Sequence, residues 1–158
     1  TRLWNICRFI LMKRAKISAD ETADKRRYIS ENPRSKQRKS TLSAEDRKNL
    51  AEVKMIKAKV AKHLERSEFH LAAETVYHYV WHTFADKVIE DYKSRLTADN
   101  KADAAAAYAT LETILFESIK MLHPFMPFIT EEIYQKFLPA EALAKRGKPE
   151  KMLMVEKW

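Results

Sequence analysis

The stretch LHPFMPFITEEIYQKF, residues 122–137, decides the fold of this chain because it has to contain a corner between two helices. Pro124 cannot continue the apolar helical pattern that leads up to it, and it disfavours helical backbone at His123. The run from Phe125 to Ile129 carries no charge. In a chain this polar, such a run indicates a corner that is buried on all sides.

A second helix is predicted directly after the corner. Thr130 is a good N-cap, and Glu131 and Glu132 place negative charge in the first turn, where the helix dipole favours it. The helical spacing turns three side chains toward the core: Ile133, Tyr134 and Phe137.

Composition favours a single all-α domain. The chain has 158 residues, 46% of them hydrophobic, and no apolar run reaches the roughly 20 residues that a membrane helix needs. Gly147 is the only glycine, which excludes the glycine-rich phosphate loops of nucleotide-binding folds. Cys7 is the only cysteine and fits a reducing compartment. Because the chain opens at Thr1 inside a helical pattern and without an initiator methionine, we expect it to be a fragment of a longer protein.

Positive charge is concentrated in one third of the chain. The net charge is +8, and residues 13–66 hold 17 lysines and arginines against 8 carboxylates, whereas the remainder holds 13 against 14. Clustered cations of this kind favour a polyanionic partner, because they neutralise phosphates and release counterions. The alternative is a solvated basic face without a partner.

Four main helices and short C-terminal helices are predicted as a bundle. The first runs from Thr1 to about Arg14, and the second begins at Ser43, which with Asp46 forms a capping-box pattern. The other three predicted segments are a central helix from an N-cap at Ser67 to about Leu96, a helix from Lys101 to Leu122, and a short helix from Ala140 to Arg146. The central helix is expected to bury this stripe, widened by Tyr77 and Trp81: Phe69, Ala73, Val76, Val80, Phe84 and Val88. Residues 152–155 form an apolar run that suits a strand or an extended cover.

The first helix has two unlike faces. A core stripe consists of Leu3, Cys7, Ile10 and Leu11. The opposite side carries Asn5, Arg8, Phe9 and Met12, and a phenylalanine in that setting requires a partner. One reading is a neighbouring domain or helix that covers this face. The other is that Phe9 stacks on an unpaired RNA base, with Asn5 and Arg8 near base edges or phosphates.

Residues 17–42 lack a sustained apolar period and are interpreted as a basic connector inside the single domain 1–158. With Lys13, this connector supplies the cations expected to hold phosphates: Arg26, Arg27, Arg34, Lys36 and Arg38. The alternative is an insertion that merely tolerates charge. Farther along, His78, His82 and Asp86 recur every four residues, a spacing compatible with a metal site, but solvent-facing polar residues are the better interpretation.

Three strings resemble a known family. HPFMPFITEEI, residues 123–133, closely resembles a string in the anticodon-binding helical domain of class I valyl-tRNA synthetases, and the isoleucyl and leucyl enzymes carry a looser relative of it. LWNICRF, residues 3–9, resembles the Leu-(Trp or Tyr)-Asn-x-x-Arg-Phe segment of the valyl enzymes, and residues 73–84 resemble their Ala-x-x-x-Tyr-x-x-x-Trp-x-x-Phe helix. The chain departs from the family at Lys48, Lys87 and Val88, where aromatic residues are usual.

The resemblance implies a domain that grips the anticodon stem-loop of a valine tRNA and has no catalytic, cofactor or metal site of its own. ATP and Mg would serve an upstream catalytic domain of the same chain, since neither the family's His-Ile-Gly-His motif nor its Lys-Met-Ser-Lys-Ser loop is present here. The implied protein is cytoplasmic and monomeric and does not bind a membrane. Three alternatives stay open: the equivalent domain of an isoleucyl or leucyl enzyme, a protein-interaction module that docks a partner helix on Phe9 and Met12, and RNA binding that is indifferent to sequence.

Overall fold

The computed structural model describes residues 2–19, 42–97, 100–137 and 152–153. Within these ranges the secondary structure is helical, which confirms the all-α prediction. The helices are α1 (Arg2–Ala19), α2 (Ala44–Glu65), α3 (Phe69–His78), a π-helical segment (Tyr79–Val88), α4 (Ile89–Thr97), α5 (Lys101–Leu122) and α6 (Pro127–Phe137). The predicted helix at 140–146 lies outside the described residues. Among those residues, no helix is both long and apolar enough to span a membrane.

Helix α5 is the centre of the bundle. It packs against α1, α2, α3, α4 and α6. The prediction that the preceding long helix is central is therefore wrong. The reason is that α5 is apolar around most of its circumference, and its buried side chains include Leu111, Ile114, Leu115 and Ile119. A helix that is apolar on several sides can contact several partners at once.

The predicted helix 67–96 is continuous but not uniform, because the π segment interrupts its α-helical hydrogen bonding. At the end of this segment the Ile89 N–H donates to the Phe84 carbonyl five residues earlier. Val76, Val80 and Phe84 are all buried at a spacing of four. In an α-helix of 3.6 residues per turn, each step of four drifts by about 40° around the axis. The wider π turn offsets this drift and keeps the stripe on the core.

Two members of the predicted stripe are exposed instead. Phe69 is 59% exposed, and Tyr77 is 53% exposed and stacks on Trp81 with ring centroids 4.8 Å apart. Ala72 is fully buried and takes the core position expected for Ala73. The face of α3 is therefore rotated slightly from the prediction.

The turn between α2 and α3 shows why Ser67 is not an N-cap. Ser67 has a φ of 59° and lies just past the end of α2, where its N–H donates to the Leu64 carbonyl. The Glu68 N–H donates to the His63 carbonyl at 2.9 Å. This pair of bonds is the Schellman arrangement, in which a left-handed residue ends a helix. Glu68 takes the N-cap position of α3 without a capping side-chain hydrogen bond.

The start of α2 is held by a capping box, as predicted. Ser43 Oγ accepts from the Asp46 N–H, and Asp46 accepts from the Ser43 N–H at 2.9 Å. The Asp46 carboxylate also accepts from the Tyr92 hydroxyl and from Arg95 Nη1 at 2.8 Å. Arg95 in turn donates to Asp103 at the start of α5. Asp46 thus joins α2 to α4, and Arg95 extends the link to α5.

Burial raises the pKa of Asp46, but the hydrogen bonds from Arg95, Tyr92 and Ser43 outweigh burial and bring the pKa to about 2. Burial raises the pKa of Tyr92, and the hydrogen bond that its hydroxyl donates to Asp46 raises it further. Asp46 is therefore a charged group at neutral pH although its side chain is inaccessible to solvent.

The corner after α5 is less buried than predicted. Phe128 is 90% exposed, Pro124 and Pro127 are exposed, and Phe125 is half-buried. The prediction was wrong because it treated residues 125–129 as irregular chain, whereas α6 already begins at Pro127. A proline suits the first helical position, where its missing N–H is not needed. Phe128 then falls on the side of α6 opposite Ile133.

Thr130 is consequently inside α6 and is not its N-cap. Its N–H donates to the Met126 carbonyl at 3.2 Å, and its hydroxyl donates to the same carbonyl. The hydroxyl oxygen also lies 2.8 Å from Nδ1 of His123, so Thr130 ties the new helix back to the end of α5. The inward placement of the predicted trio is confirmed: Ile133, Tyr134 and Phe137 are buried.

We predict that Phe128→Ala changes the free energy of unfolding by no more than about 0.5 kcal/mol, as expected for an exposed side chain. Ile133→Val, in the same helix, removes fewer atoms but should cost about 0.5–1.5 kcal/mol because Ile133 is fully buried. Urea unfolding of both variants gives the comparison. A larger loss for Phe128→Ala than for Ile133→Val would contradict the exposed placement of Phe128.

The structure adds to the predictions at the end of helix α1 and near the C-terminal end of the described residues. Helix α1 continues to Ala19, past the predicted end near Arg14 and into the first residues of the 17–42 connector. Near the other end, Leu153 is buried, and its N–H donates to Glu131 Oε2 at 2.8 Å. The described part of the predicted 152–155 run thus covers α6.

Candidate nucleic-acid interface

Helix α1 is attached to the bundle by one apolar side. Leu3, Ile6, Cys7 and Ile10 are buried, and Leu11 is half-buried at the border of this stripe. Their surroundings are provided chiefly by α5, with a smaller contribution from α6. The predicted core stripe is confirmed, with Ile6 added to it.

Polar contacts fix α1 along its length. Arg14 Nη1 donates to the Phe137 carbonyl at the end of α6, at 3.0 Å. Lys136 Nζ lies 5.2 Å from the ring centroid of Trp4, a cation–π contact. Arg2 forms an exposed ion pair of 3.4 Å with Asp86 of the π segment. These contacts hold α1 in one orientation. The amphipathic pattern of α1 does not predict them, because the partner residues are far away in sequence.

The opposite side of α1 faces away from the core. Asn5 and Arg8 are exposed, and Met12 is 59% exposed. Phe9 is half-buried and packs against the edge of the hydrophobic core. Lys13 is also half-buried, with its Nζ 5.7 Å from the Phe9 ring centroid. The structure therefore brings these five predicted residues to one side of α1, with Phe9 at the border of that side and not at its centre.

We call this set the α1 face. It combines an amide, two cations, an aromatic ring and a thioether: Asn5, Arg8, Phe9, Met12 and Lys13. An amide can pair with base edges, cations hold phosphates, and an aromatic ring can stack on a base. The remaining predicted phosphate-binding residues lie outside the described residues: Arg26, Arg27, Arg34, Lys36 and Arg38.

The thiol behind the α1 face is not a reactive group. Cys7 is a fully buried free cysteine, and burial raises its pKa to about 11 although nearby Lys136 lowers it. A thiol with this pKa is neutral at physiological pH and packs as a small apolar side chain.

The histidine repeat is on the outer surface of the long helix. His78 and His82 are exposed, with ring centroids 4.9 Å apart, and His82 Nδ1 lies 3.9 Å from Asp86 Oδ2. Within the described ranges, no group of three or more histidine, cysteine or acidic side chains is arranged to hold a metal ion. Asp86 also contacts Arg2.

The class of protein follows from this fold and from comparison with known families. Residues 46–158 match the model of the family described as the anticodon-binding domain of tRNA ligase, and the chain belongs to that family. The matched region starts at Asp46, the buried carboxylate that joins α2 to α4.

Individual relatives are more specific. The chain is 29% identical over 135 residues to the valine–tRNA ligase of Lactococcus lactis, covering 85% of this chain and 14% of the relative. It is 31% identical over 134 residues to the valine–tRNA ligase of Clostridium acetobutylicum, covering 85% of this chain and 14% of that protein. It is 31% identical over 136 residues to the valine–tRNA ligase of Streptococcus mutans, covering 86% of this chain and 15% of that protein. The chain thus spans about one seventh of the length of these relatives.

Proposed function

We propose that this domain binds the anticodon stem-loop of valine tRNA and positions that tRNA for aminoacylation by a catalytic domain of the same protein. That catalytic domain would use ATP and Mg, and the domain described here would need neither. A monomeric, cytoplasmic protein suits this role. Membership of the anticodon-binding family and similarity to valine–tRNA ligases support the proposal.

The α1 face is the observation that carries the proposal. One side of α1 is fixed to the core, while Asn5, Arg8 and Met12 are exposed and Phe9, on the same helix, is half-buried. RNA loops are recognised through unstacked bases that stack on side chains and pair with amides. A rigid helix that offers both kinds of group fits such a loop.

Each group on the α1 face has a separate role in this proposal. The half-buried Phe9 ring, together with Met12, stacks on one anticodon base, and Asn5 reads the edge of that base. Arg8 and Lys13 hold phosphates of the loop. Five further cations of the connector extend the phosphate contacts: Arg26, Arg27, Arg34, Lys36 and Arg38.

Binding to hairpins tests the proposal. We expect the 158-residue chain to bind a hairpin with a valine anticodon more tightly than hairpins of the same stem with an isoleucine or leucine anticodon. A mismatch at a base that is read directly should cost about 1–3 kcal/mol. Affinity for the cognate hairpin should also fall with salt, at a slope of about −0.7 to −0.9 per phosphate contact.

The other outcomes would each replace the proposal. Equal affinity for all three hairpins would indicate RNA binding that is indifferent to sequence. Preference for the isoleucine or leucine anticodon would indicate the equivalent domain of those enzymes. If no hairpin binds, and an amphipathic partner helix binds with little dependence on salt, the α1 face is a protein-docking surface.

A further inference from the structure

The outer side of α2 carries a row of lysines that the α1 face does not include. Four of its exposed cations, Lys48, Lys59, Lys62 and Arg66, fall on one side of the helix at 100° per residue, and we call them the basic stripe. Arg66 is the C-cap of α2, so at 1.5 Å per residue the stripe is about 27 Å long. Between its ends the other exposed positions are Ala51, Lys54, Met55, Ala58 and Glu65, so no aromatic group separates the cations.

Within the described part of the chain, no ion pair joins the basic stripe to an aspartate or glutamate. Lys57, on the inner side of the same helix, contrasts with the stripe because its Nζ lies 2.7 Å from Glu117 Oε2. The exposed carboxylates of α2, Glu45 and Glu65, lie near the two ends of the stripe, and Glu52, between them, is half-buried.

The arrangement is unfavourable for the helix alone. Lys59 and Lys62 are three residues apart and Lys62 and Arg66 four apart, so like charges are neighbours on the surface of α2. Such like-charge pairs lower the stability of a helix. A bound polyanion would remove this repulsion, and local conflicts of this kind are expected at functional sites.

We infer that the basic stripe binds the phosphate backbone of a base-paired RNA stem, an inference that rests on the proposed function. The bases of an RNA duplex are largely inaccessible, so a duplex is recognised through its backbone and shape. Lysine ammonium groups suit this role because they act as compact point charges without the planar geometry that reads a base edge. The α1 face has the opposite chemistry, with Asn5 and Phe9 available for a loop.

The stripe and the α1 face are carried by different helices. α2 packs against α3 and α5, whereas α1 packs against α5 and α6. The two surfaces therefore divide the RNA between them: the α1 face takes the loop, and the basic stripe takes a stem.

The test compares two double variants that remove the same charge. Lys59→Gln with Lys62→Gln changes the stripe, and Lys87→Gln with Lys93→Gln removes two exposed lysines from the π segment and α4. The probes are a full-length valine tRNA transcript and a blunt RNA duplex that lacks a loop. We expect the stripe variant to bind the transcript on the order of tenfold more weakly at 0.1 M salt, with a salt slope reduced by up to about two.

The control variant should bind like the wild-type chain, and Phe9→Leu should leave duplex binding unchanged. Equal losses in the two double variants would overturn the inference while leaving the anticodon proposal intact. Binding of the wild-type chain to poly-glutamate but not to the RNA duplex would also overturn the inference, because it would indicate that the basic stripe binds an acidic protein. Failure of the wild-type chain to bind any hairpin would instead overturn the proposed function, and this inference with it.

Discussion

Replacing Asp46 by alanine should lower the free energy of unfolding by about 3–5 kcal/mol, the loss expected when a buried, hydrogen-bonded ion pair loses one partner. The Asp46 side chain is inaccessible to solvent, and its carboxylate accepts hydrogen bonds from Ser43, Tyr92 and Arg95. Removing it leaves the Tyr92 hydroxyl buried without that acceptor and opens the cap of α2. Urea unfolding followed by circular dichroism measures the loss.

Asp103→Ala is the matched control for this variant. Asp103 binds the same Arg95, but its side chain is 37% exposed, so water can replace it. We expect a loss of about 1 kcal/mol, near the upper range for exposed pairs. Similar losses in the free energy of unfolding of the two variants would show that the burial of Asp46 does not increase its contribution to stability.

Acid provides a second measurement on the same group. The folded-state pKa of Asp46 is about 2, below the ordinary value of about 3.9 for an unfolded chain. A depressed pKa contributes stability that is present above the unfolded value and is lost as the pH falls toward the folded value. This contribution is roughly 2–3 kcal/mol. The stability of Asp46→Asn should therefore fall less than that of the wild-type chain between about pH 4 and pH 2.

Phe9→Ala should weaken binding of the valine anticodon hairpin by roughly 1–3 kcal/mol, the range for loss of one base stack. The salt slope should stay the same because no phosphate contact is removed. Binding titrations at several salt concentrations measure both quantities.

The half-buried position of Phe9 requires a second variant. Because the ring packs on the edge of the core, alanine also removes core contacts. Phe9→Leu keeps most of the apolar volume but lacks the aromatic ring, so it should retain stability and still bind weakly. Wild-type affinity in a folded Phe9→Leu protein would remove Phe9 from the interface, and Met12 would then be the apolar contact to test.

The helices themselves were predictable because their signals are local. The Ser43 and Asp46 capping box marks the start of α2, and the spacing of Leu3, Cys7 and Ile10 identifies the inner side of α1. Both features depend on residues a few positions apart, where helix geometry fixes which side chains meet.

The errors arose where a residue has two possible local roles. Ser67 is a good N-cap by type, yet it ends α2 in the left-handed conformation. Thr130 is also a good N-cap, but Pro127 starts α6 three residues earlier. That earlier start places Phe128 on the outer side of the helix, so this phenylalanine is exposed although it belongs to an uncharged run.

The candidate site was predictable in part for a similar reason. The α1 face follows from the periodicity of one helix, so Asn5, Arg8 and Met12 were placed correctly on the exposed side. The half-burial of Phe9 depends on the bundle around it, which periodicity does not specify. The bond from Arg14 to the Phe137 carbonyl joins residues 123 positions apart, and no local pattern encodes it.

That bond also has a consequence for the order of events during synthesis. Helix α1 leaves the ribosome before α2, yet its packing surface is supplied mainly by α5 and α6. The exposed apolar stripe of α1 must therefore wait for more than a hundred residues of nascent chain before it is covered. We therefore expect the apolar stripe of α1 to be open to aggregation in early ribosome-bound stages, and the orientation of α1 to be fixed only after translation has passed Phe137.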